Sequence, residues 1–243
     1  MNDIALQTKT MNESLSENSV LKTVKILFGH RSVGSNIMDG IIRLNEEIPK
    51  LSLVITDQKN LLQKDSVVFY HYKNGENTFP YSKVDSFYSN ITKFNQRVNI
   101  AFFKFCYADI TRKTDVEKLF AYYKEKMSLI ESSSPNIRFI HFTVPLKTKP
   151  KGFKGAIKSL IKWDDNRKRN EFNNMIRKEY PENKIFDLAR YESTYMDNSI
   201  ENSINGVPAL RSDLTSDGGH LNALGEDYIG ALLLLKINSI ARE

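Results

Sequence analysis

The segment KILFGHRSVG, residues 25–34, carries an apolar run into Gly29 and then presents His30, Arg31 and Ser32 before a second glycine. A serine hydroxyl becomes a nucleophile when a histidine takes its proton and a carboxylate holds that histidine in the right tautomer. Four histidines are available: His30, His71, His141 and His220. His220 stands in SDGGHLNALG, three residues after Asp217, where a glycine-containing turn can fold the carboxylate back onto the imidazole. Plainer readings compete: Ser32 as the N-cap of a helix starting near Val33, and Asp217 to His220 as a polar turn. His30 lies two residues from Ser32, but with no carboxylate nearby in sequence it is expected in an auxiliary role in the pocket. His141, inside IRFIHFTVP, reads as a core or strand-end residue, and His71, inside VFYHYK, as a surface or hairpin residue. Cys106 reads as a buried, inert strand cysteine. Asp109, at a strand end, is expected to line the pocket or to cap a turn. No ligand cluster suits a metal, and neither a metal nor an organic cofactor is expected.

Five runs of strand length must position these residues: Lys25 to Gly29, Leu51 to Thr56, Val98 to Cys106, Ile137 to Pro145 and Lys184 to Leu188. They alternate with helical periodicity, which predicts an α/β fold with a five-stranded parallel sheet between helices. Val33, Ile37, Ile41, Leu44 and Ile48 form one apolar helical stripe. Val116, Leu119, Phe120, Tyr123, Met127 and Ile130 form another, opened by capping-box spacing at Thr114 and Glu117. Further helices are predicted at about Asp165 to Glu179 and Asn222 to Ile240. Residues 62–83 read as a hairpin or long loop, and residues 147–165 as a second insertion. In an open parallel sheet, loops at the carboxyl ends of the strands build the ligand crevice, and both insertions can border it.

A length of 243 residues, 40% of them hydrophobic, allows one sizeable core. Residues 1–22 read as a flexible tail without a signal-peptide core, and residues 23–243 as the folded domain. YIGALLLLKI is too short to span a bilayer, so a cytoplasmic protein is expected, with peripheral membrane contact as an option. The net charge of +6 is concentrated: Lys147 to Arg169 holds nine Lys or Arg against two Asp. No zinc-finger or aromatic RNA-binding signature accompanies this run, and nucleic acid is not expected as a partner. If GFKGAIKSLIKW is helical, Phe153, Ile157, Leu160 and Ile161 share a side flanked by Lys154, Lys158 and Lys162. That pattern fits a lid, contact with an anionic surface, or simple packing with solvated lysines.

ILFGHRSVG and DGGHLNALG resemble the first and last blocks of the SGNH hydrolases, the GDSL-like esterases and lipases. The order of the resemblance runs from Lys25 to Ile240, and NRKRNEFNNMIRKEYPENKIFDLA is similar to the family's helix-then-strand stretch before the last block. The resemblance implies a three-layer flavodoxin-like fold and a serine esterase working through an acyl-enzyme. It assigns Ser32 as nucleophile, His220 as general base and Asp217 as its orienting carboxylate. It also implies an oxyanion hole from the Ser32 N–H, a glycine N–H, for which Gly75 is the candidate, and an asparagine side chain. The sequence departs from the pattern at two places. Arg31 stands where the family has Asp, and Cys106, Tyr107, Ala108 and Asp109 stand where Gly-x-Asn-Asp is expected, so Asn77 or Asn36 would have to replace the missing asparagine. Losing one such donor costs about a hundredfold or more in rate. The substrate implied is a small-molecule, glycan or lipid ester, for example an acetylated carbohydrate or lipid. The alternatives are a carbohydrate O-acyltransferase and a catalytically weak glycan- or lipid-binding module.

Overall fold

The computed structural model describes residues 3–18, 21, 24–60, 68–94, 96–149, 164–194, 202–204 and 206–243. Its centre is a parallel sheet of six strands: β1 (Lys25–His30), β2 (Val54–Thr56), β3 (Val68–Lys73), β4 (Ile100–Phe103), β5 (Arg138–Phe142) and β6 (Ile185–Phe186). They lie in the order β2-β3-β1-β4-β5-β6, every neighbouring pair parallel. Without the short edge strand β2, this is the flavodoxin-like order. A separate antiparallel pair joins β7 (Ser203–Ile204) to β8 (Val207–Pro208).

Strands covered on both faces must be apolar along their whole length, and β1 is buried from Ile26 to His30. Side chains alternate between the two faces. Ile26, Phe28, Phe69 and Phe102 face a layer made by α1 (Asp3–Asn18), α2 (Val33–Glu47) and α7 (Ala223–Arg242). Leu27, Tyr70, Ala101 and Phe103 face α3 (Pro80–Phe94), α4 (Val116–Ser133) and α5 (Asp164–Glu179). A short helix, α6 (Leu188–Ser193), follows β6. The predicted three-layer α/β architecture is therefore the one observed.

The structure corrects several details. The sheet has six strands rather than five, because Val68–Lys73, expected within a hairpin or long loop, is β3 and pairs with β1 along its full length. Its polar groups mask a buried strand: Tyr70 is in the core while His71 and Tyr72 are half-buried. The run at Leu51 to Thr56 contributes only the edge strand β2. The expected flexible tail contains α1, whose Ile4, Thr8, Met11 and Leu15 form a sparse buried seam. The cap of α4 is Asp115, accepting from the Lys118 N–H at 3.1 Å, and not Thr114. The stripe from Val33 to Ile48 is buried as predicted.

The contact that matters most for the site is between α2 and α7. A Cβ added to Gly40 would lie 2.1 Å from the Glu226 carbonyl oxygen, and one added to Gly230 would lie 3.2 Å from the Ile41 nitrogen. The helices thus touch backbone to backbone. Arg43 donates to Glu226 and Asp227, each at 2.7 Å, and Asn36 donates to Glu226 at 2.8 Å. We expect Gly40→Ala to destabilise the protein by about 1–3 kcal/mol, the usual cost of overpacking, read as a lower urea midpoint. A midpoint equal to the wild type would show that the helix pair yields without strain.

Candidate active site

β1 ends at His30 and α2 starts at Val33, so Arg31 and Ser32 must turn the chain within two residues. Ser32 takes φ +56° and ψ −120°, a backbone conformation that costs a non-glycine residue about 1–3 kcal/mol. Its side chain makes no capping bond to α2, so the N-cap reading fails. The hydroxyl lies instead 2.7 Å from His220 Nε2. Gly34 permits this tight helix start, since a Cβ there would lie 2.4 Å from the Cβ of His30.

The loop before α7 holds the other two residues. Asp217 Oδ2 lies 2.6 Å from His220 Nδ1, and Oδ1 accepts the backbone N–H groups of Gly219 and His220, each at 2.8 Å. Thr215 closes the turn by accepting the Gly218 N–H at 3.0 Å, and Asn222 caps α7. The His220 side-chain bond, followed by the backbone bonds, holds the Asp217 carboxyl well below the usual carboxylate range. With Nδ1–H donating to Asp217, the Nε2 lone pair faces the Ser32 hydroxyl.

The loop after β4 supplies a wall that the sequence reading missed. Tyr107 Oη lies 3.5 Å from His220 Nε2, beside Ser32. Gly219 makes the approach possible, since a Cβ there would lie 3.0 Å from the Tyr107 ring. Lys147 and Arg169 stand over that ring at 5.2 and 5.8 Å, and Arg169 Nε donates to the Tyr107 carbonyl at 2.8 Å. Burial, and then the Asp217 charge, push the phenol up. Its sequence signal is its place among Cys106, Tyr107, Ala108 and Asp109, where Gly-x-Asn-Asp is expected.

The loop after β3 meets the same region. Gly75 has φ +52°, and its carbonyl accepts from Arg31 Nε, which ties this loop to the residue before Ser32. A Cβ on Gly75 would lie 2.6 Å from the Lys83 nitrogen, so glycine is needed on both counts. Asn77 is exposed, and its Oδ1 accepts from Lys83 Nζ at 3.0 Å and from Cys106 Sγ at 3.3 Å. Among the described residues, the Gly75 N–H and Asn77 Nδ2 have no partner.

No protein-family model matches the chain, and no curated protein does. Solved structures do. An acetyl xylan esterase superposes with a TM-score of 0.52 at 16% identity, covering 89% of this chain and 99% of that one. The fold is one that an esterase also uses. The periplasmic domain of a lipopolysaccharide acetyltransferase from Salmonella ser. Paratyphi A gives a TM-score of 0.48 at 12% identity, covering 100% of this chain and 98% of that one.

His30 and Asn36, expected in the pocket, are placed in helix packing, and Asp109 takes the turn role that was one of its two readings. His30 packs under Gly34, 4.7 Å from the Phe28 ring, with Nε2 3.1 Å from His71 Nδ1. Burial, and then the neighbouring His71, push its pKa down to about 3, so it is a neutral core residue. Asn36 Nδ2 donates to Glu226 at 2.8 Å, between the helix starts. Asp109 is turned inward, accepting from the Thr78 N–H at 2.8 Å and the Cys106 N–H at 2.6 Å, so it ties the β3 and β4 loops together. His71 lies in β3, half-buried, rather than on a surface hairpin. His141 is a core residue as read, bonded to the Tyr123 hydroxyl at 2.7 Å. Lys154, Lys158 and Lys162 lie outside the described residues. Among the described residues, no group of three His, Cys, Asp or Glu could hold a metal, and no helix is long and apolar enough to cross a membrane.

Glu192, in α6, joins the β5 loop to the approach of the His220 loop. Its Oε2 accepts the Leu146 N–H at 2.8 Å, and its carbonyl accepts the Arg211 N–H. Burial raises its pKa from 4.5 to about 8. Between those values the folded state keeps a proton that the unfolded chain has released, so this stability is present below pH 4.5 and lost as pH rises through 8. Glu192→Gln is expected to show a smaller fall in melting temperature than the wild type from pH 5 to 8. Parallel curves would refute a raised carboxyl.

Proposed function

We propose that this chain is a serine esterase in which Ser32 attacks an ester carbonyl while His220 takes its proton. The observation that carries the reading is the 2.7 Å contact between Ser32 Oγ and His220 Nε2, with Asp217 on the other ring nitrogen. The φ of +56° at Ser32 adds support, because strained backbone persists only where its surroundings impose it.

In the first step the Ser32 Oγ–acyl carbon bond forms, the carbonyl electrons move onto oxygen, and the hydroxyl proton passes to Nε2. Asp217 stabilises the resulting imidazolium without taking its proton. The N–H groups of Ser32 and Gly75 and the Asn77 side-chain amide receive the oxyanion, so that Asn77 stands in for the asparagine missing after β4. Collapse expels the alcohol, which leaves with the proton from Nε2. Water then attacks the acyl-enzyme, again with His220 as base, to release the acid and restore Ser32. The reaction uses side-chain and backbone groups alone. An acetylated carbohydrate or lipid is the substrate class we favour, in keeping with the fold shared with an acetyl xylan esterase. An alcohol in place of water at the second step would give acyl transfer from the same intermediate.

A fluorophosphonate probe is expected to label Ser32 in the wild type and to label neither Ser32→Ala nor His220→Ala, with the site read by mass spectrometry. An unlabelled, folded wild type that binds acetylated glycans would favour a binding module instead. Asn77→Ala is expected to lower kcat for p-nitrophenyl acetate by about a hundredfold with KM little changed, the loss typical of one oxyanion donor. An unchanged kcat would remove Asn77 from the mechanism.

A further inference from the structure

Beneath the proposed oxyanion donors lie two lysines that the mechanism above does not use. Lys83, in α3, and Lys104, directly after β4, both have no solvent exposure. A buried ammonium is costly unless its charge is used or paired. Lys83 Nζ lies 3.4 Å from Asp109 Oδ2. Among the described residues, no carboxylate is within ion-pair distance of Lys104. Burial pushes Lys104 below the ordinary lysine value, opposed by Cys106, Asp109 and Glu192.

Lys104 Nζ donates to the Phe105 carbonyl at 3.0 Å and Lys83 Nζ contacts Cys106 Sγ at 3.5 Å, and each lysine makes one further bond of a shared kind. Lys104 Nζ donates to the Arg31 carbonyl at 3.2 Å, and that carbonyl belongs to the peptide whose N–H is Ser32's. Lys83 Nζ donates at 3.0 Å to Asn77 Oδ1, the carbonyl end of the amide whose Nδ2 has no partner among the described residues. Cys106 Sγ sits between the two, 3.4 Å from the Arg31 carbonyl and 3.3 Å from Asn77 Oδ1. Each amide oxygen thus accepts from a buried lysine, the Arg31 carbonyl also from the Gly34 N–H, and among the described residues neither the Ser32 N–H nor Asn77 Nδ2 has a partner. Carbonyl and N–H are conjugated, so a cation at the oxygen draws electron density toward it and makes the N–H a stronger donor. Buried and away from water, the cation acts with little screening.

We propose that Lys83 and Lys104 are positioning residues that polarise the two oxyanion-binding amides, Lys104 acting through the Arg31–Ser32 peptide and Lys83 through the Asn77 side chain. The proposal rests on the esterase reading and explains how a site lacking the usual asparagine keeps a strong oxyanion hole. The two lysines hold and orient the donors and do not touch the substrate.

Lys104→Met and Lys83→Met remove the charges at nearly constant volume, and Lys104→Gln removes the charge but keeps a hydrogen-bond donor. With p-nitrophenyl acetate we expect kcat to fall about tenfold in each Met variant, a fraction of what a whole donor supplies, with KM within about twofold. Affinity for a trifluoromethyl ketone, whose adduct carries an oxyanion, should fall by the same factor. A merely structural role would not produce that match at unchanged melting temperature. In the wild type the Ser32 amide proton should resonate downfield of other helix-start amides, and in Lys104→Met and Lys104→Gln it should move upfield. Variants with wild-type kcat in an active enzyme would overturn the lysine proposal alone, and so would an ordinary Ser32 amide shift in the wild type, whichever variants fold. A wild type without Ser32-dependent turnover would overturn the esterase reading, and this proposal with it.

Discussion

The backbone contact between α2 and α7 is the constraint on which the site depends. Ser32 immediately precedes α2, and His220 comes three residues before α7, so the separation of the two helices at their first turns sets the separation of the two side chains. Only glycine at position 40 lets the Glu226 carbonyl come this close. Asn36, in the first turn of α2, donates to Glu226 in the first turn of α7, and Arg43, two turns further along α2, bonds to Glu226 and Asp227, so that rotation as well as distance is fixed. An ordinary pair of packed helices, 8–10 Å apart, would leave each first turn freer to shift.

The sheet order determines which loops can meet there. β1 is flanked by β3 on one side and β4 on the other, so the chain reverses its direction of progress across the sheet at this point. Loops leaving the carboxyl ends of strands at such a switch point diverge and open a crevice. Ser32 follows β1, Gly75 and Asn77 follow β3, and Tyr107 follows β4, so residues from three loops converge at this switch point. Beneath it the structure tolerates what a core usually excludes: two buried lysines, a buried aspartate and a thiol, linked by hydrogen bonds to loop carbonyls. Such a polar network rigidifies loops that apolar packing alone would leave loose.

The legible parts of the sequence were those governed by local physics. The stripe from Val33 to Ile48 announced itself because a helix repeats its buried face every three to four residues, and the α7 segment because it is apolar nearly all round. The Asp217 and His220 pair was legible for the same reason, since both bonds from the carboxylate to His220 span three residues of one turn. β3 was hidden because Tyr70, His71 and Tyr72 present hydroxyl and imidazole groups, whose burial depends on neighbours far away in the chain. In α1 only Ile4, Met11 and Leu15 are strongly apolar along the buried seam, too few to mark a docked helix without its partner α7 in view.

By itself the sequence determined the alternation of strands and helices, the turn that pairs Asp217 with His220, and the presence of a serine at the end of the first strand. Each depends on residues within a few positions of one another. Tertiary structure alone decided that Ser32, 188 residues from His220, faces it rather than capping α2. It also drew His30 and Asn36 away into the packing and brought Tyr107 in. It set Lys83 and Lys104 behind the amides of Asn77 and Ser32. A charged residue in a sequence reads as surface, because only the completed fold supplies the carbonyl oxygens that make its burial affordable.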